Sequence, residues 1–79
     1  MQRARLEEEL RVLASRLAPY PRLVIEASGM DGHTARNWFL IRDRSSARSF
    51  TLKATQPADF LGPRFDMLLK SFLREWGIE

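Results

Sequence analysis

Asn37-Trp38-Phe39-Leu40-Ile41-Arg42-Asp43, then Arg44-Ser45-Ser46-Ala47, then Arg48-Ser49-Phe50-Thr51-Leu52-Lys53-Ala54 is the stretch that decides the fold. Its flanks are rich in aromatic and branched apolar residues and its middle in small polar ones, the pattern of two strands joined by a hairpin. A loop at Ser45-Ser46, or one covering 44–47, pairs Asp43 with Arg48. Ile41 then lies opposite Phe50, Phe39 opposite Leu52, and Asn37 opposite Ala54. Directly paired residues share a face. Phe39, Ile41, Phe50, Leu52 and Ala54 therefore form one apolar face, and Trp38, Leu40 and Arg42 lie on the other, opposite Lys53, Thr51 and Ser49. A loop of odd length would reassign the faces.

Working outward, Arg22 to Ser28 reads as a further strand, with Leu23, Ile25 and Ala27 alternating with Val24, Glu26 and Ser28. Gly29-Met30-Asp31-Gly32 reads as a turn whose glycines are free to take positive φ. Upstream, residues 2–17 carry Leu6, Leu10, Leu13 and Leu17 on one helical stripe. That helix must end before Pro19, because a residue preceding proline is pushed out of the α region. Glu7-Glu8-Glu9 reads as its solvated face. Downstream, Ala58 to Leu61 suggests a short turn of helix, with Phe60 and Leu61 over the open end of the core. Gly62-Pro63 opens a second helix, since proline suits the first helical position. Phe65, Leu68, Leu69, Phe72 and Trp76 make its stripe, and Gly77 its left-handed cap, with Ile78 folding back towards Leu73. The expectation is one α+β domain over residues 1–79, in α-β-β-β-α order: a three-stranded antiparallel meander with two helices packed on one face.

Composition bounds what such a domain does. At 79 residues, 44% apolar and 29% charged, the chain suits a single folded core and not disorder. It has no cysteine and one histidine, His33, so a zinc site lacks its usual ligands. No phosphate-binding glycine loop, Ser-His-Asp set or marked carboxylate pair occurs. The expectation is a protein that is not an enzyme and takes no cofactor or metal. The basic amino-terminal residues run directly into Glu7-Glu8-Glu9, and the longest apolar run is Trp38 to Ile41. A soluble cytoplasmic protein with no membrane partner is therefore expected.

Net charge is +3, and arginine supplies eleven of the thirteen basic residues. Arg36, Arg42, Arg44, Arg48 and Lys53 cluster around the hairpin against Asp43 alone. Both helical stripes are committed to the Phe39 face. Trp38 and Leu40 then stand in water beside Arg42 and Lys53, unless a loop or chain end covers them. Tryptophan and arginine are the side chains most enriched at binding hot spots. The candidate partner-binding residues are therefore Trp38, Leu40, Arg42 and Lys53, with Arg36, Arg44 and Arg48 around them. The leading expectation is a small non-catalytic protein-binding module. A nucleic-acid binder using the same face with its arginines is the alternative, and contact between two copies through that face is a third reading.

The element order resembles that of the double-stranded RNA-binding domain, and Pro19-Tyr20 is similar to that family's entry into its first strand. Gly29 to His33 looks like its Gly-Pro-x-His turn, at a different spacing. The family's basic cluster at the start of the second helix has no counterpart in Gly62-Pro63-Arg64-Phe65-Asp66. The resemblance covers the whole chain and implies a fold alone, since the motifs that carry RNA binding in that family are not matched. In size and in lacking a catalytic constellation, the chain also resembles the small proteins of phages and mobile elements, anti-CRISPR inhibitors among them. That likeness implies an inhibitor occupying a surface of a larger protein complex.

Overall fold

A computed structural model describes residues 2–78, in the order α1 (Gln2–Leu17), β1 (Leu23–Met30), β2 (Asn37–Asp43), β3 (Ser49–Ala54), one 3-10 turn (Pro57–Phe60) and α2 (Pro63–Trp76). The strands form an antiparallel meander, β1-β2-β3. The expected α+β architecture is therefore observed. Local chemistry explains the helix ends. After α1 the chain reverses through Pro19 and Pro21, with Tyr20 N–H donating to Leu17 C=O and Leu23 N–H to Tyr20 C=O, both at 2.9 Å. Pro63 is the first residue of α2 after Gly62. Gly77 ends α2 at φ 67°, and Ile78 N–H donates to Leu73 C=O at 2.9 Å, which folds Ile78 back into the core.

The hairpin register is the one its loop parity implies. Ile41 pairs with Phe50, Phe39 with Leu52 and Asn37 with Ala54, while Asp43 N–H donates to Arg48 C=O at 3.0 Å. The first strand differs from its sequence reading. Pairing with β2 runs regularly from Leu23 to Ile25, skips at Glu26, and resumes at Ala27 opposite Leu40. This bulge shifts alternation by one residue, so Ala27 joins the outward face and Ser28 the inward one. The strand also extends through Gly29 and Met30, which were expected in the turn.

Both helices pack on the inward face. Phe39 is fully buried and meets Phe60 edge-on, with centroids 5.3 Å apart, and Phe60 meets Phe65 in the same way at 5.3 Å. Phe60 thus closes the core as expected, while Leu61 stays exposed. On the β3 side, Phe50 stacks on Phe72 at 3.9 Å and takes the edge of Trp76 at 5.2 Å. Arg16 joins the helices by pairing with Asp66 and lying over the Phe65 ring, 5.8 Å from its centroid.

Polar groups tie down both ends of β2. Asp43 accepts from Arg22 Nε and Nη2 at 3.2 and 2.9 Å, from Ser45 N–H at 3.0 Å and from Ser46 Oγ at 3.1 Å. The other end corrects the reading of Glu7-Glu8-Glu9 as a solvated run. Glu9 is fully buried, accepting from Asn37 Nδ2 at 2.6 Å, with Arg5 Nε 3.4 Å from its second oxygen. Arg5 also donates to Ala35 C=O at 2.6 Å, which binds the β1–β2 loop to α1. A buried carboxylate is tolerable only when paired and hydrogen-bonded in this way.

Two outcomes are expected. Phe39→Ala removes a fully buried ring and should cost about 3–5 kcal/mol; a variant melting within a few degrees of wild type would refute the face assignment. The second concerns acid. Hydrogen bonds from Arg22 first, and then from Ser45, hold the Asp43 carboxyl below its ordinary value. Those from Thr55 N–H at Asp59 and from His33 N–H at Asp31 act likewise. A folded-state pKa below the unfolded one stabilises fully above the unfolded value, about 3.9, and is lost as pH falls through the folded value. Melting temperature should therefore hold steady from neutrality to about pH 5 and drop below about pH 4. Asp43→Asn should lower the plateau and flatten the drop. An unchanged acid limb in that variant would remove Asp43 from the account.

Candidate functional site

Neither helix covers the outward face of the sheet, so its composition is set by the strands alone. Trp38, Leu40 and Arg42 follow one another along β2 and lie opposite Lys53, Thr51 and Ser49 of β3. On the other side, β1 sets Gly29 beside Trp38, Ala27 beside Leu40 and Val24 beside Arg42. The result is a shallow apolar strip of Val24, Ala27, Leu40 and Trp38, in which Val24, Leu40 and Trp38 are half-buried.

Trp38 owes its position to Gly29. Gly29 does not take positive φ; among the described residues only Gly77 does. Its missing side chain serves another purpose. A Cβ there would come 2.7 Å from Cζ2 and 2.8 Å from Nε1 of Trp38, so the indole lies directly on the bare backbone of β1. An aromatic ring over a cross-strand glycine fills the space the glycine leaves. Trp38 is thus neither swallowed by the core nor free in solvent, but held flat against the sheet.

The seven candidate residues do not form one cluster. Arg42 is paired with Glu26 at 3.1 Å, a carboxylate that the regular alternation from Leu23 already places on the outward face. Arg44 and Arg48 are exposed at the hairpin end, near Arg22. Arg36 is exposed at the opposite end of β2, where it shares a groove with Lys53 and Arg64. A strand of this length separates the two basic groups by roughly 20 Å. His33 is exposed in the loop, where its N–H donates to Asp31 Oδ1 at 2.9 Å. Among the described residues, no three His, Cys, Asp or Glu side chains gather as metal ligands, and no helix is long and apolar enough to cross a membrane.

Sequence reasoning missed a second surface. Leu61, Met67 and Leu68 are 57%, 73% and 42% exposed at the start of α2, beside Pro63 and Arg64. Leu68 was expected in the core stripe, and Met67 falls off that stripe. An apolar residue next to the stripe was the available signal. Leu68 and Arg64 also line the groove of about 570 Å³ that runs along β3.

No protein-family model matches the chain, and no curated protein or solved structure matches it either. The surfaces described above are therefore the basis for any functional reading.

The contact between Trp38 and Gly29 can be tested in a Trp76→Phe background, which leaves one indole to observe. Gly29→Ala should lift the ring, shifting its emission to the red, raising acrylamide quenching and costing about 1 kcal/mol. Combined with Trp38→Ala, the same change should be neutral or stabilising, because glycine within a strand is unfavourable. If Gly29→Ala leaves the emission unchanged, the ring is not seated there.

Proposed function

We propose that this chain is a non-catalytic protein-binding module that docks through the outward face of its sheet and acts by occupying a surface of a larger protein or complex. The observation carrying this reading is the uncovered strip around Trp38. A domain this small has little apolar surface to spare, yet Trp38, Leu40 and Val24 lie outside the core shared by the helices. An aromatic anchor fixed by a glycine, with charged groups at its margins, has the make-up of an interface centre and its polar rim. Inhibition by occupancy, in the manner of the small phage and mobile-element proteins, is the form of action that fits.

The distribution of charge favours protein over nucleic acid. A phosphate track calls for continuous cations, and affinity then falls steeply with salt. On this face the cations divide between its two ends, and Glu26 compensates Arg42 between them.

The test is capture from lysate of the native host, with and without nuclease, followed by titration of the captured partner. Capture should resist nuclease and depend weakly on salt. Trp38→Ala should weaken binding by about 2 kcal/mol or more while costing the fold about 1 kcal/mol. Arg42→Glu, which sets two acids side by side, should also weaken it, whereas Arg48→Ala should not. A well-folded Trp38→Ala variant with undiminished binding would sink the proposal.

A further inference from the structure

We propose that the free edge of β3 accepts an extended acidic segment of a partner protein as a fourth strand. This surface adjoins the outward face at Lys53 but makes no use of Trp38, so Trp38→Ala tells the two proposals apart.

β3 is an edge strand, paired on one side only. Asp43 N–H donates to Arg48 C=O, and antiparallel pairing alternates. The groups of Arg48, Phe50, Leu52 and Ala54 therefore point to β2, and those of Ser49, Thr51 and Lys53 point away from it. Thr55 continues the alternation, its outward N–H reaching Asp59 Oδ2 at 2.8 Å. Ser49, Thr51 and Lys53 thus present a row of main-chain donors and acceptors in the spacing an added strand requires.

What flanks this row defines the occupant. Beside it runs the groove of about 570 Å³, whose apolar side comes from Phe60, Phe65 and Leu68 and whose basic rim comes from Arg36, Lys53 and Arg64. The carboxylate among its lining residues, Asp59, already accepts from Thr55 Oγ1 at 2.9 Å and Gln56 N–H at 3.3 Å as well as from Thr55 N–H. Side chains of an added strand alternate between the two faces of the sheet. Those directed inward meet Leu68, and those directed outward meet Lys53. The matching segment alternates small apolar residues with Glu or Asp. A second copy of β3 matches poorly, because Ser49–Ala54 carries no acid to answer Arg36, Lys53 and Arg64, and lysine on an edge strand discourages self-pairing.

The probe is an acetylated and amidated hexapeptide of alternating valine and glutamate, added to the uniformly nitrogen-15-labelled full chain. Slowed hydrogen exchange is expected at the amides of Ser49, Thr51 and Lys53, with shift changes at Arg64 and Leu68. Thr51→Pro removes an outward donor without touching the ladder to β2, a position where proline is tolerated. It should weaken binding about tenfold. Arg64→Glu, on the exposed start of α2, should weaken it similarly and improve binding of the valine–lysine counterpart; it carries the test should Thr51→Pro fail to fold. Trp38→Ala should leave peptide binding unchanged. The proposal is overturned if the peptide leaves the β3 edge unperturbed, or if folded Arg64→Glu binds both peptides as wild type does. It is equally overturned if the peptide-free chain is a dimer by light scattering with Ser49, Thr51 and Lys53 already protected, since a second copy then holds the edge.

Discussion

The inward row of β2 reads Asn37, Phe39, Ile41, Asp43, and all four side chains are buried. Its two middle members are apolar and its two ends polar, and each polar end is fastened to a different part of the molecule. Asn37 holds Glu9 of α1, and Asp43 holds Arg22 together with the hairpin loop. A slip of one residue would turn every β2 side chain to the opposite face. It would strand two polar groups outside their partners and drive Trp38 into a space shaped for Phe39. One strand thus fixes the sheet register, the position of α1 and the identity of the outward face.

Much of this was legible in the sequence because loop parity is a strong constraint. Residues 44–47 left Asp43 opposite Arg48, and the faces of β2 and β3 followed. β1 was less legible for a physical reason. Nothing in Val24-Ile25-Glu26-Ala27-Ser28 marks an extra residue, since a bulge of this kind needs no glycine or proline and both faces of the strand are only partly buried. Glu9 was obscured by its neighbours. In a run of three glutamates the run looks solvated, yet Glu9 stands four residues before Leu13 and eight before Leu17, on the most buried line of α1. Periodicity held that signal, and composition hid it. The candidate site was legible as a face but not as a cluster. Its residues lie on one strand pair or just beyond its ends, while their grouping depends on Glu26 and Arg64, which no local pattern connects to them.

Gly29 shows how a half-exposed aromatic side chain can be stiffened at little cost. A tryptophan on an open sheet would ordinarily sample several rotamers and lose that freedom on docking. Resting on bare backbone, the Trp38 indole is already restrained in the free molecule. The same contact explains its half-burial.

The bulge at Glu26 has a further consequence, for assembly. A flat sheet with two open edges can take a neighbour on each side and so become a link in a growing fibre. Here β1 is kinked at Glu26, and an irregular edge is a poor template for another strand. Only β3 is regular along its length. A sheet with a single usable edge can finish a stack of strands but cannot pass it on. Whatever lines up along β3, this molecule is the end of the row.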